Sequence, residues 1–517
     1  MRTRNIFKTL AMTSLMFLST GCSDWLAVDM EDGIMEDKLF ETNEGYVATL
    51  NGVYSKMNAI YGSNLSMGVI DVMAQYYNVA QNSGHQFKAF AEYDFEQANF
   101  ESTSGNIWTT QYNLIANLNT LLEHCGEGGN GVLKNHYFPY VKGEALALRA
   151  MLHFDLLRLY GPIYNDESAS TLVMPYQETS SKEIQPLLPA SEVMEKIIRD
   201  LNEAAELLKE DKIRKEGIMD SESEDPNENS DFRYRQYRLN YYAVQGLLVR
   251  AYAWMQNKDK AYELATNLIK ENEEKKTFEW IKKDQVQSSS PNRIFSTEVM
   301  FALYNQKRNN LYDNLFNPST GMNNCLSFAG ETLEEGDEDG KINYFYQDMD
   351  DLRRGSNMWT VEDVEQSDEY GGGSVTSEKT ICFHKFEGVP SVSDSWKFMI
   401  PLLRMTEIYL TAAEYAKTPE EAIKYINEVR KHRNCVNIEY KGDETPDKIQ
   451  GYITAEFSRE VIGEGQLYFY YKRHAMTTIM SGTDFGMWYD GTYTMELQNY
   501  VWPLPKVEID KRGTSNK

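Results

Sequence analysis

The chain lacks an apolar run long enough to cross a membrane. Its one candidate, Leu10 to Leu18, is about half the ~20 residues that a spanning helix needs, and Gly21 and the acidic residues beyond Cys22 end it. It also lacks a basic surplus: 52 Lys and Arg stand against 78 Asp and Glu, a formal net charge of −26. That excludes nucleic acid as a natural partner, because binding it depends on clustered cations that release counterions from phosphates. An anionic membrane surface is an equally poor match. Cysteine is scarce, with five residues far apart and no C-x-x-C pair, which disfavours a zinc site. No G-x-S-x-G, H-E-x-x-H or G-x-x-x-x-G-K-[ST] occurs, so the commonest hydrolase and nucleotide signatures are missing. Neutral or cationic ligands, or protein, remain.

What is present begins at the N-terminus. Arg2, Arg4 and Lys8 precede the short apolar run, the layout of a secretion signal. Leu18-Ser19-Thr20-Gly21-Cys22 looks like a bacterial lipobox, in which Cys22 takes a diacylglyceryl thioether and becomes the first residue of the mature chain. Removing residues 1–21 takes away those three cations and no acid, so the net charge moves from −26 to −29. One acyl chain anchors a protein marginally, whereas two or more hold it stably. From Ser23 to Phe40 the sequence is acidic and without apolar periodicity, a spacer. Cys125, Cys325, Cys382 and Cys435 read either as one or two disulfides of an oxidising compartment or as buried thiols. Aromatic residues are abundant, with 34 Tyr, 22 Phe and 8 Trp. Their faces can stack on sugar rings, although most must serve the core.

Helical periodicity recurs along the chain. Thr42 opens a helix carrying Val47, Leu50, Val53, Tyr54 and Met57. From Tyr61 to Ser104 the pattern breaks into a long loop rich in Gly, Asn, Ser and aromatics, and such loops are often functional. Trp108 to Leu122 and Val141 to Leu159 form a helix hairpin that stops at Gly161-Pro162. Ser191 can cap a helix through Leu208, and an acidic loop spans Met219 to Asp231. Leu239 to Gln256 pairs with Asp259 to Asn272. Residues 273–395 lose helical order, with strand-like pieces at Glu298 to Tyr304 and Thr380 to Phe386, and read as a loop-rich insertion. Helical order returns at Arg404 and pairs across Lys417-Thr418 with a helix opened by Thr418, Pro419 and Glu421. Thr445-Pro446 opens another. The result is a mainly α fold: a scaffold of tetratricopeptide-like hairpins with a partly β insertion, in one body over residues 41–517.

The residues that carry a family likeness now stand in order. They are Leu39-Phe40-Glu41-Thr42 through Leu50-Asn51-Gly52-Val53-Tyr54; Gly143-Glu144-Ala145 through Leu148-Arg149-Ala150 and on to Arg158-Leu159-Tyr160-Gly161; Ile426-Asn427-Glu428-Val429-Arg430; Arg459-Glu460 through Gly465 with Tyr471-Lys472-Arg473; and Trp502-Pro503-Leu504-Pro505. Together they resemble the SusD/RagB outer-membrane nutrient-binding lipoproteins of Bacteroidetes. Gly463-Glu464-Gly465-Gln466 replaces the commoner Phe-Glu-Gly-His, and Leu403 to Glu407 replaces Arg-Tyr-Ala-Glu. The resemblance implies a lipid-anchored surface protein that captures glycan, or in some members peptide or another nutrient. It implies too that the protein acts as the mobile lid of a SusC-like, TonB-dependent β-barrel transporter. It implies no catalytic residues and no cofactor, and it transfers no ligand residue.

For ligand contact the early loop offers Tyr76, Tyr77, Asn78, His85 and Phe87, with Asp71 as a hydroxyl acceptor, and the insertion offers Tyr344, Tyr346 and Trp359. Each has a plain alternative as a packed residue. Glu335, Asp337 and Asp339, followed by Gly340 and Ile342, resemble a calcium loop. The twelfth position is Tyr346 where a bidentate Glu is needed, so a solvated acidic loop is the default. A surface glycoside hydrolase is the competing class; it needs two carboxyl groups at a fixed separation, which abundance alone cannot supply.

Overall fold

Thr42 caps the first long helix as its position predicts, its hydroxyl accepting from the Gly45 N–H at 3.1 Å. The computed structural model describes residues 38–513 apart from 81, 83, 134–136, 223–229, 335–339, 367–375, 390–393 and 486–489. About half of the chain is helical, with a few small sheets. The main helices are α1 (Asn43–Met57), α2 (Ala98–Cys125), α3 (Tyr137–Tyr160), α4 (Ala190–Leu207), α5 (Tyr241–Trp254), α6 (Lys258–Lys275), α7 (Met405–Glu414), α8 (Pro419–Lys431), α9 (Pro446–Val461) and α10 (Leu467–Arg473). Each from α1 to α9 packs on the next, and the expected hairpins are the pairs α2–α3, α5–α6 and α7–α8. Strands β1 (Val299–Tyr304), β2 (Ser327–Phe328), β3 (Trp359–Gln366), β4 (Thr376–Phe383), β5 (Met399–Arg404), β6 (Thr478–Met480) and β7 (Thr492–Thr494) complete the frame. β4 lies between β2 and β3, β6 pairs with β7, and all these pairings are antiparallel.

The helix starts follow their sequence signals. Thr418 accepts from the Glu421 N–H at 3.2 Å with Pro419 at the first position, and the Glu421 carboxylate reaches back to the Lys417 N–H at 2.9 Å. That is the capping box shifted by one residue. Thr445 accepts from the Lys448 N–H ahead of α9. Helix α3 is buried on nearly every side, and its C-terminal carbonyls are met by a side chain: Lys472 donates to the carbonyls of Arg158 and Gly161 at 2.7 Å each. Glu144 on α3 accepts from Arg235, Arg238 and the Tyr54 hydroxyl, which ties α1 and α5's leading loop to the centre.

Two expectations change and a third gains detail. Residues 61–104 are not one open loop: they hold short helices at Val69–Met73 and Lys88–Ala91, and α2 starts at Ala98, well ahead of Trp108. The first turns of α2 have poor helix formers, but Phe100 is buried edge-on against Trp502 at 4.8 Å, so packing overrides propensity. Helix α4 begins at Ala190 behind Pro189, not behind Ser191. Stretch 273–395 is tied into the scaffold, because β1 pairs with β5 directly ahead of α7. Gly246 on α5 permits that closeness, since a Cβ there would fall 2.7 Å from Leu403 and 3.1 Å from Met300. The four cysteines among the described residues are free thiols; Cys125, Cys325 and Cys382 are buried and Cys435 is partly so.

Candidate functional site

Helix α9 turns two different faces. Ile449, Ile453, Phe457 and Val461 are buried, while Asp447, Gln450, Gly451, Thr454, Ala455, Ser458 and Arg459 line a hollow of about 410 Å³. A helix face that met only water would carry Lys and Glu throughout; between Asp447 and Arg459 this one carries the uncharged Gln450, Gly451, Thr454, Ala455 and Ser458. The opposite wall is Tyr471 with Thr478, Met480 and Thr492 of the β6–β7 ribbon. At the rim stands Tyr344, 46% exposed, its ring 5.2 Å from that of Phe485. Gln450 donates to the Tyr470 hydroxyl at 2.5 Å, and the Thr454 hydroxyl lies 2.9 Å from the same oxygen. Arg459 donates through Nε to the Phe345 carbonyl at 2.6 Å, fixing the segment that carries Tyr344. An aromatic rim over one amide, several hydroxyls, one carboxylate and one guanidinium suits a hydroxyl-rich ligand.

The structure brings the residues singled out from sequence together, but behind this hollow. Tyr76, Tyr77, Tyr346 and Trp359 are buried in one aromatic cluster with Phe316, Phe328, Phe345 and Phe383. Trp359 lies 4.3 Å from Phe328 and 4.5 Å from Phe383, and Tyr76 meets Phe345 edge-on at 6.0 Å. The Tyr76 hydroxyl donates to the Ser458 carbonyl at 2.6 Å, so it props the wall of the hollow from inside. Trp359 donates to the Arg353 carbonyl at 3.0 Å. With no face open, these four give up the ligand contact expected of them, because long-range pairing of 76–77 with 316–383 encloses them.

Asp71 is buried as well. It accepts from the N–H groups of Gly463 and Gly465 at 2.5 and 3.0 Å, and burial pushes its carboxyl well up against those donors. It is a loop anchor, not a hydroxyl acceptor. His85 is enclosed too: its Nδ1 accepts from the Phe87 N–H at 3.1 Å, and burial lowers its pKa to about 4, so the ring is neutral. Phe87 packs beside it and beside Phe90. Asn78 is half-buried and donates its backbone N–H to the Ser327 carbonyl at 2.9 Å. Of the nine, Tyr344 alone presents a ring to the hollow. Cys22, and Glu335, Asp337 and Asp339 of the calcium-like loop, lie outside the described residues, among which no cluster of acids, His or Cys is placed to hold a metal.

Sequence reasoning missed the α9 face. Its signal was there, in an amphipathic helix whose polar side reads Gln, Gly, Thr, Ala, Ser at successive turns in place of charges. A larger hollow of about 860 Å³ lies between the start of α2 and the Trp502 to Ile509 segment. Its rings Tyr93, Phe100 and Trp502 are buried against their neighbours, Phe95 is half-buried, and Lys506 and Glu101 pair at its edge.

Comparison with known proteins matches residues 28–216 to a family model described as starch-binding, associating with outer membrane, and residues 193–515 to that of the SusD family. A SusD-like protein of Formosa agariphila is 21% identical over 96% of each chain. A SusD superfamily structure from Bacteroides thetaiotaomicron superposes with a TM-score of 0.63 at 21% identity, covering 91% of this chain and 98% of its own. A putative sugar binding protein from Bacteroides vulgatus gives 0.63 at 22% identity, with 91% and 96% covered. Surface glycan-binding protein A from Bacteroides thetaiotaomicron gives 0.58 at 15% identity, with 92% and 98% covered. At these identities the structural likeness establishes the fold.

Proposed function

Because the chain belongs to the SusD family, we propose that it binds a glycan in the hollow beneath Tyr344 and delivers it to a SusC-like, TonB-dependent transporter for uptake. The observation that carries the reading is the α9 face, with the Gln450 amide and hydroxyls set beside an exposed tyrosine. Relatives named for sugar or surface-glycan binding support the ligand class. The lining supports binding over hydrolysis: among the described residues Asp447 is the one carboxylate lining this hollow, where glycoside hydrolysis uses two.

The protein sits at the outer membrane, held by lipid on Cys22 after removal of residues 1–21, with residues 22–40 as a tether to the body at 41–517. Among the described residues no helix is long and apolar enough to span a bilayer. Tethering raises the effective concentration of captured ligand at the barrel mouth. Cys22→Ala is expected to leave glycan affinity intact and abolish both surface retention and uptake; normal uptake by that variant would refute the tether.

Calorimetry of residues 23–517 with starch, xylan, mannan and laminarin should give reversible binding to at least one, without release of reducing ends. Tyr344→Ala should weaken that binding about tenfold, the loss of roughly 1.4 kcal/mol of ring stacking. Binding of peptides alone would overturn the glycan reading, and unchanged affinity would remove Tyr344 from the site.

A further inference from the structure

Resting on the glycan reading above, we infer that the hollow continues past Arg459 into a second subsite, so that the ligand is a linear neutral glycan long enough to lie across both. A further hollow of about 340 Å³ is lined by Gln347, Asp348, Met349, Asp351, Arg430 and Val436, and Arg459 lines it as well as the first. The walls are continuous. One is the segment that supplies Tyr344 and Phe345 to the first hollow and Gln347 to Met349 to the second. The other is α9, handing over at Arg459 to Arg430 and Val436.

Arg459 forms the saddle between them. Its Nε is committed to the Phe345 carbonyl at 2.6 Å, its Nη1 lies 3.5 Å from Glu456, and no described residue takes its Nη2. Donors are therefore left at the crossing point, where a chain passing from one hollow to the next presents hydroxyl and ring oxygens. In the second hollow Asp351 is occupied by Arg353, at 2.9 and 2.6 Å, and Arg430 by the Val436 carbonyl, at 2.9 and 2.6 Å. The Gln347 amide remains for hydroxyls, and Asp348, whose oxygens accept from the Val436 N–H at 2.6 Å and the Asp350 N–H at 3.4 Å, keeps further lone pairs for them. Met349 and Val436, 43% and 75% exposed, supply apolar contact for the C–H face of a sugar ring. An acid in each hollow, Asp447 in the first and Asp348 in the second, disfavours uronate units.

The test plugs the second hollow without touching the first. Val436 is exposed, so Val436→Trp should fold as the natural chain does. Titrations use graded oligosaccharides from whichever of starch, xylan, mannan and laminarin binds. Wild-type affinity is expected to climb with chain length. The variant should match it on the shortest oligomers and fall about tenfold behind on the longest, because it loses one of two linked contacts. Equal affinity of variant and wild type for long oligomers, or a wild-type affinity flat with length, overturns the second subsite while leaving glycan binding intact. No binding to any of the four polysaccharides overturns the glycan reading and this inference with it.

Discussion

Glu460→Ala is expected to lower the free energy of unfolding by about 3–5 kcal/mol at neutral pH, the usual cost of breaking a buried ion pair from one side. Glu460 is buried on α9 and accepts from Arg353 at 2.7 Å, from Arg404 at 2.9 Å and from Arg433 at 2.6 and 3.0 Å. Arg433 also forks onto Glu298 beside β1, at 2.9 and 2.6 Å, and Arg404 reaches Glu464 at 2.8 Å. The alanine would strand three guanidiniums in the core, each with part of its charge uncompensated. It would also uncouple α9 from β5, from the end of α8 and from the loop-rich stretch that carries Arg353. Glu460→Gln keeps the shape and loses the charge, so it should cost less.

The same carboxylate sets a pH dependence. Burial pushes the Glu460 pKa up, but Arg433, Arg404 and Arg353 outweigh it and hold the group well below its ordinary 4.5. A depressed folded pKa contributes stability that is present above about pH 4.5 and is lost as pH falls toward the folded value. Asp351, lowered by Arg353 despite its burial, adds in the same direction. Urea unfolding at pH 7 and at steps down to pH 3 should show wild-type stability declining below about pH 4.5, with a shallower decline in Glu460→Ala. A loss under 1 kcal/mol at pH 7, or an unchanged slope, would refute the role given to this network.

These ions explain what the sequence could and could not reveal. Arg459-Glu460, Gly465, Lys472, Glu144 and Arg149 carry the family likeness, and all but Arg459 hold the frame: network, loop, helix end and cross-ties. Such a match transmits fold before ligand, and of its residues Arg459 and Tyr471 reach the hollow. The caps at Thr42, Thr418 and Thr445 were legible because a cap is a local event, settled within four residues. The aromatic residues of 76–87 and 344–359 were legible as aromatics but not as buried. Their enclosure depends on Tyr77 meeting Phe316 and Phe328, about 240 residues further on, and no local pattern encodes that pairing. Tyr344 and Tyr346 are two positions apart, yet one is 46% and the other 1% exposed.

Asp71→Ala separates the two roles that residue could have. As a loop anchor it satisfies the Gly463 and Gly465 N–H groups inside the core, and removing it leaves two buried donors without partners, a loss of about 2–6 kcal/mol at 1–3 per group. The loop has no room to relax toward other acceptors. Gly463 and Gly465 hold φ of +83° and +66°, and a Cβ on Gly465 would fall 2.1 Å from the Leu65 carbonyl oxygen. Gly465→Ala should therefore destabilise through the same turn, by strain in place of a lost acceptor. The turn leads directly into α10, whose Tyr471 walls the hollow, but Asp71 itself does not line it. Both variants should unfold at lower urea concentration, and the fraction still folded should bind glycan with wild-type affinity. Asp71→Ala with unchanged stability and lost affinity would return Asp71 to the ligand and sink the anchor role.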